Sequence, residues 1–181
     1  MAALLRTMIS TAPCPDRETL LNLEREARRR GSGIQAEQLN GCWQLQATWN
    51  RSGDPSTPGS DACLRALGAC LVLRVPPESE SGPAESEHIQ IENRVQLAGF
   101  QLSFQGLAQL KGKRPLLAFS FDRVQLKIGP RICFSRAIDT PSSQRMPFFA
   151  LIHLDPNQAV LIARGRGGGL ALWTQRSIGS E

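Results

Sequence analysis

The stretch Cys42-Trp43-Gln44-Leu45-Gln46-Ala47-Thr48-Trp49 alternates apolar and polar side chains. In an extended chain Trp43, Leu45, Ala47 and Trp49 point to one face, and the residues between them point to the other. Alternation sustained over this length predicts a half-buried β-strand.

The chain beyond this strand repeats the same kind of signal between turns. Further strands are predicted at 67–75, 89–97, 100–104, 119–121, 124–128, 148–154, 159–163 and 170–176. Glycine, proline, asparagine and lysine separate many of these segments, and polar loops are predicted at 51–61, 76–87 and 137–146. Many short strands predict a mainly β fold, an antiparallel barrel or sandwich of about eight or nine strands.

One helix is predicted before the strands, over residues 15–30. Asp16 lies at its start and Arg28–Arg30 at its end, which suits the helix dipole, and Gly31 ends it. Leu20, Leu23 and Ala27 form a narrow apolar stripe. We therefore divide the chain into an N-terminal helical segment, 1–37, and a β domain, 38–181, with the helix plugging or flanking one end of the barrel.

Composition excludes several classes of protein. No apolar run approaches the roughly 18 residues of a membrane-spanning helix. The formal net charge is +5, and arginine runs occur at 28–30 and 164–166. This charge either attracts lipid headgroups or nucleic acid, or merely solvates the surface; the single Arg-Gly-Gly segment is too little to predict a nucleic-acid partner.

The metal-binding and redox residues are few. The chain has two histidines and five cysteines, Cys14, Cys42, Cys63, Cys70 and Cys133, with no C-x-x-C pair. This pattern predicts no zinc site and no metal or other cofactor, and it is typical of a reduced, intracellular protein. The apolar run at the N-terminus is too short for a secretory signal.

The apolar strand faces supply the candidate binding site. A closed barrel of about eight strands either fills its interior with side chains or holds one small ligand. The candidate lining residues are Trp43, Leu45, Phe104, Phe119 and Trp173.

Three polar residues complete the candidate ligand-binding set. Asn93 is in phase with Ile91 and Val95, so its amide is expected to point inward. Asp155 and Arg164 each end a predicted strand, and a hairpin between those strands would allow them to form an ion pair near one end of the barrel. Such a pair would either orient a ligand or only stabilise a turn.

Several motifs together resemble one family. Residues 39–48, Leu-Asn-Gly-Cys-Trp-Gln-Leu-Gln-Ala-Thr, resemble the opening strand of the plastid lipid-associated proteins, or fibrillins. The resemblance continues with Leu23-Glu24 in the helix and, in chain order, with 91–95, 153–155, 161–165 and 168–172. Tyrosine is absent from this chain, and Ala47 and His153 stand where the family often has it.

The resemblance implies a lipocalin-like barrel and a non-enzymatic function. That function is to bind or carry a small hydrophobic ligand, such as a quinone, carotenoid or lipid, at photosynthetic membranes. It implies a cyanobacterial-type member that is cytoplasmic, with peripheral attachment to thylakoid membranes or lipid globules. The alternative is a bilin lyase or chaperone of phycobiliproteins, which has a similar barrel and would hold tetrapyrrole carboxylates with arginines.

Catalytic motifs do not favour an enzyme. The chain has no G-x-S-x-G elbow for a Ser-His-Asp hydrolase. The segment Gly165–Gly169 lacks the Lys-Ser/Thr of a phosphate-binding loop and precedes a predicted strand, so we expect a glycine-rich hairpin turn. We predict no catalytic residue.

Overall fold

The computed structural model describes residues 15–55, 68–76, 88–142, 145–157 and 159–176. They form one helix, α1 (Arg17–Arg30), a 3-10 turn (Glu37–Leu39) and a set of antiparallel strands. The strands are β1 (Gly41–Trp49), β2 (Cys70–Arg74), β3 (His88–Leu97), β4 (Phe100–Lys111), β5 (Leu116–Ile128), β6 (Arg131–Ala137), β7 (Phe148–Asp155), β8 (Val160–Gly165) and β9 (Leu170–Arg176).

The sheet closes on itself through eight of its nine strands. Neighbours run in the order β4-β3-β2-β1-β9-β8-β7-β5-β6, and an additional pairing of β4 with β5 joins the ends into a ring. Strand β6 pairs with β5 outside this ring. The predicted mainly β, antiparallel architecture with one preceding helix is therefore confirmed.

The third quarter of the chain differs from the prediction. The segments 119–121 and 124–128 belong to one long strand, β5, because Arg123 pairs with Gln105 and Asp122 is the extra residue of a bulge opposite Gln105 and Gly106. Strand β6 was missed, since its side chains are all exposed and give no buried stripe to detect.

Helix α1 lies on the outside of the ring. Its N-cap is Asp16, whose carboxylate accepts a hydrogen bond from the Thr19 amide at 2.7 Å. Its buried side chains Leu20 and Ala27 pack with Trp49 and with apolar residues of β7, β8 and β9. The helix therefore flanks the ring, while Ile34 and Leu39, which follow it, join the interior cluster.

The ring interior is a packed apolar cluster. Its buried members on strands come from every strand of the ring, namely Trp43, Leu71, Leu73, Ile89, Ile91, Ala108, Leu117, Phe119, Leu151, Leu161, Ala163 and Trp173. Trp43 is 1% exposed, and its indole Nε1 donates a hydrogen bond to the Leu39 carbonyl at 2.7 Å. The indole N–H is thus satisfied inside the core.

The predicted apolar face of β1 is only half correct. A bulge between Leu45 and Ala47 shifts the register against β9. As a result Trp43 and Leu45 face the interior, whereas Ala47 and Trp49 join the outer cluster under α1. A strict alternation read from sequence does not register a bulge, which reverses the faces downstream of it.

The cysteine prediction also needs correction. Cys42 on β1 and Cys70 on β2 form a disulfide, so the expectation of a fully reduced set is wrong. Cys133 on β6 is a free, exposed thiol and not part of an apolar core. Cys14 and Cys63 lie outside the described residues.

Two further predictions, the polar loops and the lack of a membrane-spanning helix, can be compared with the structure only within the described residues. Residues 56–61 and 77–87 of the predicted loops, and residues 143 and 144 of the third, lie outside the described residues. Within the described part of the chain, no helix is long and apolar enough to cross a bilayer.

Candidate functional site

Four of the five predicted apolar lining residues lie in the packed interior of the ring. Trp43, Phe119 and Trp173 are buried in the interior cluster, and Leu45 packs against it. Each is surrounded by side chains from neighbouring strands and contributes to the core. Their contact with a ligand remains a prediction.

A row of aromatic rings leads from this core toward one end of the ring. Ring centroids lie 5.4 Å apart between Trp173 and Phe149, 5.1 Å between Phe149 and Phe119, and 5.4 Å between Phe119 and Phe121. The row ends at Phe104, 5.9 Å from Phe121 and only half-buried. The apolar interior is thus continuous with a surface at Phe104.

That surface belongs to a part of the sheet that extends beyond the ring. We call it the projecting sheet, residues 93–105 and 123–137. It contains the end of β3, the first half of β4, the second half of β5 and all of β6. It extends outward because β5 pairs with β7 only at 116–118 and with β6 at 123–128.

The two faces of the projecting sheet differ sharply. Directly paired residues share a face, and the register places nine apolar residues on one side: Val95, Leu97, Phe100, Leu102, Phe104, Val124, Leu126, Ile128 and Phe134. Ile132 pairs with Lys127 and lies on the opposite side. On the opposite face Gln105 donates to Gln125, and Gln125 donates to Ser135. Phe100 is 51% exposed, Ile128 46% and Phe134 49%, so the apolar face is open to solvent.

The charge of the projecting sheet is of one sign. It carries the basic residues Arg94, Arg123, Lys127, Arg131 and Arg136 and contains no Asp or Glu. Glu92 and Asp122 immediately precede its two segments in the sequence, and Glu92 lies 3.7 Å from the Arg94 guanidinium. Since the whole chain has 21 basic and 16 acidic residues, the remainder has sixteen of each, and the formal excess resides here.

The Asn93 side chain points to the predicted face of the strand, but the predicted burial of this side chain is wrong. Asn93 shares its face with the buried Ile91, as the alternation predicted. It is nevertheless exposed, because it lies where the projecting sheet leaves the ring and nothing described covers that face. Its amide therefore has access to water and needs no buried partner.

The predicted ion pair between Asp155 and Arg164 is wrong. In the β7–β8 hairpin Asp155 pairs with Val160 beside the turn, whereas Arg164 pairs with Ala150 at the far end. Asp155 instead accepts a hydrogen bond from the Asn157 amide in the turn, at 2.9 Å. Both residues end their strands, but antiparallel pairing places those ends apart.

Arg164 has a different partner, on the helix. Its guanidinium donates to the Glu24 carboxylate through Nε at 2.7 Å and Nη2 at 2.6 Å. Nη1 donates to the carbonyls of Arg51 and Gly168. Arg28, one helical turn after Glu24, donates to the same carboxylate at 2.5 Å.

The ionisation of Glu24 reflects this environment. Burial by itself raises the pKa of the carboxyl, but the hydrogen bonds and charges of Arg164 and Arg28 outweigh it and hold the pKa below its ordinary value. The Glu24 carboxyl is therefore fully ionised near neutral pH.

The ion pair forms one wall of a cleft of about 840 Å³ between α1, the β4–β5 turn and the ends of β7 and β8. Its charged lining residues are Glu24 and six arginines, namely Arg25, Arg28, Arg51, Arg114, Arg164 and Arg166. Its apolar lining includes Leu21, Leu116, Phe148 and Ile152. The two arginine runs of the sequence, at 28–30 and 164–166, each contribute to this cleft.

Sequence reasoning did not identify Glu24 as the partner of Arg164. It predicted the strands of the projecting sheet other than β6, but not that they extend beyond the ring. The signal for Glu24 was present, since a carboxylate on the same face as the apolar Leu20 and Ala27 has to find a cation. Among the described residues no group of His, Cys, Asp and Glu is arranged to hold a metal ion.

Comparison with known proteins adds no relative. No protein-family model matches this chain, and no curated protein does so either.

Proposed function

We propose that this chain is a non-enzymatic, lipid-associated protein whose projecting sheet contacts an anionic lipid surface. The observation that carries the proposal is the exposed apolar face of the projecting sheet. The sequence resemblance to fibrillins favours the same class of function, with photosynthetic membranes or lipid globules of a cyanobacterial-type cell as the surface. It also favours a hydrophobic molecule, such as a quinone, carotenoid or lipid, as the cargo.

Exposure of this apolar face is unfavourable in water. Scattered surface leucines are ordinary, but a contiguous apolar face marks a surface that contacts a partner or lipid. Burying such side chains in the headgroup and acyl boundary of a bilayer contributes about 25 cal/mol per Å² removed from water. The face is continuous with the aromatic row of the ring interior, so a lipid tail seated there would contact Phe104 first.

The charge favours a lipid surface over a second copy of the chain. A symmetric dimer through this face would bring Arg131 and Arg136 of both copies together, with no acid in the projecting sheet to pair with them. An anionic leaflet instead contributes about 1 kcal/mol for each Lys or Arg near its surface. Arg131 and Arg136 pair with Ile128 and Val124, so they share the apolar face at its β6 edge and lie close to any headgroups.

Vesicle sedimentation tests this proposal. Wild-type protein is expected to sediment with phosphatidylcholine vesicles that contain phosphatidylglycerol, and much less with phosphatidylcholine alone. The double variant Phe100→Ser, Phe134→Ser should lose most of this binding. Leu107→Ser is the matched control, because Leu107 is 46% exposed but lies on the outer face of β4, outside the projecting sheet.

Three outcomes would overturn the proposal. The first is a wild-type protein that binds neither kind of vesicle. The second is a dimer, detected by sedimentation velocity, that the double variant abolishes. The third is a shift in the absorption spectrum of a free bilin on mixing, without vesicle binding, which would favour the bilin lyase alternative.

A further inference from the structure

We propose that the arginine-lined cleft beside α1 is a binding site for a phosphate monoester with an apolar body. The site lies outside the ring and does not depend on the projecting sheet. It is formed by α1, Arg51, the β4–β5 turn, and the ends of β7 and β8. The β4–β5 turn is at the opposite end of the twelve-residue strand β4 from Phe100, roughly 35 Å away at about 3.3 Å per residue.

Among the described residues, the cleft carries an excess of positive charge. Six arginines line it against a single acid, Glu24. Glu24 is already occupied, because its two oxygens accept hydrogen bonds from Arg164 and Arg28. No described residue forms a hydrogen bond or ion pair with the guanidinium of Arg25, Arg51 or Arg114.

The fold positions three of the six arginines. The Arg164 guanidinium is held in one orientation, because the Glu24 carboxylate and the carbonyls of Arg51 and Gly168 accept hydrogen bonds from its three nitrogens. Arg166 donates to the Met146 carbonyl at 2.9 Å. The stem of Arg51 lies against Gly168, where a Cβ would meet the Arg51 Cγ at 3.0 Å. Positioned guanidinium groups lose less entropy when they bind an anion.

Three amides of the glycine turn beside the cleft already have backbone acceptors. The amides of Gly165, Arg166 and Gly168 donate to the carbonyls of Gly169, Phe148 and Gly165. An anion in the cleft is therefore held by guanidinium groups, which bind phosphate and carboxylate through paired hydrogen bonds. With several arginines lacking an acidic partner, a dianion is favoured over a monoanion, and phosphate monoesters are dianionic near neutral pH.

The uncharged lining residues of the cleft indicate the chemistry of the part of the ligand that is not phosphate. Leu21, Leu116, Phe148 and Ile152 offer apolar contact next to the arginines. A volume of about 840 Å³ is within the range of small-molecule sites. The ligand chemistry that satisfies both parts is a phosphate on a short apolar chain, either free in solution or as the headgroup of a phosphatidate in a bilayer.

Calorimetric titration of the full chain with hexyl phosphate tests the proposal, with hexanol and inorganic sulfate as comparison ligands. Hexyl phosphate is expected to bind at least tenfold more tightly than either. Arg25→Gln and Arg114→Gln should each weaken binding several-fold, and the double variant tenfold or more. Arg29→Gln is the matched control, because it removes the same charge from the same helix without lining the cleft.

Each other result has a defined meaning. Equal binding of sulfate and hexyl phosphate, equal loss in Arg29→Gln, or no binding at millimolar ligand would overturn the site. Phosphatidate vesicles distinguish the sources in protein that also carries Phe100→Ser and Phe134→Ser: recruitment that is lost on adding Arg25→Gln and Arg114→Gln assigns the lipid headgroup, and absent or unchanged recruitment with lost hexyl phosphate binding assigns the free ester. The Phe100→Ser, Phe134→Ser variant should bind hexyl phosphate normally, so failure of the lipid-surface function and failure of this site are separable.

Discussion

Glu24 and Arg164 lie 140 positions apart in the chain and form a two-hydrogen-bond ion pair, with Nε–Oε1 at 2.7 Å and Nη2–Oε2 at 2.6 Å. Their side chains are 10% and 14% exposed. The pair joins α1 to the end of β8 and thereby fixes the helix against the outside of the ring. It also aligns one wall of the arginine-lined cleft.

Removing the Glu24 charge should loosen the helix. Glu24→Gln leaves Arg164 with a neutral acceptor in a mostly buried position, and breaking a buried pair from one side typically costs about 3–5 kcal/mol. We expect a loss of about 3 kcal/mol in the free energy of unfolding by urea, because Arg28 is more exposed than Arg164 and can rehydrate. Glu26→Gln, on the exposed side of the same helix, should change stability by less than about 0.5 kcal/mol. Equal losses in the two variants would contradict the role of the pair.

The same pair predicts a pH dependence of stability. The folded pKa of Glu24 is lowered, so its stabilising contribution is complete above the unfolded pKa of about 4.3 and is lost as pH falls through the lower folded pKa. The charged groups that face the carboxyl are the guanidinium groups of Arg164 and Arg28. The difference in unfolding free energy between wild type and Glu24→Gln should therefore shrink below about pH 4. A difference that is constant from neutral pH down to about pH 2 would contradict it.

Trp43 should be among the costliest core positions. Trp43→Ala removes a side chain that is 1% exposed, and such truncations cost about 3–5 kcal/mol. Trp43→Phe keeps most of the volume but leaves the buried Leu39 carbonyl without its donor, at a cost of about 1–3 kcal/mol. Chemical denaturation measures both, and an alanine variant as stable as wild type would mean that the interior is assigned to the wrong strand face.

Gly106 should tolerate no side chain. A Cβ built there would lie 1.9 Å from the Ser120 carbonyl oxygen, at the bulge in the pairing of β4 with β5. Gly106→Ala therefore has to move the β5 backbone, and we expect a loss of at least about 1–3 kcal/mol in thermal or urea unfolding. Gly167→Ala, where no atom lies within 4 Å of the added Cβ, should be nearly neutral. A neutral Gly106→Ala would show that the bulge relaxes freely.

Local sequence patterns predicted many of the strands and both ends of the helix. Period-two alternation at Cys42–Trp49 and Ile89–Leu97 predicted strands because each strand exposes one face and buries the other. Asp16 and Gly31 predicted the ends of α1 because the cap interactions are made within a few residues. The mainly β, antiparallel architecture followed from these signals.

Only the tertiary structure determines which residues come together at the candidate sites. The partner of Arg164 is Glu24 and not Asp155, because register and ring closure determine which strand ends meet. A single bulge in β1 turned Trp49 from the predicted interior to the outer cluster. The apolar face around Phe100 and Phe134 is exposed because those segments extend past the ring, and a local alternation of side chains contains no information about what lies opposite.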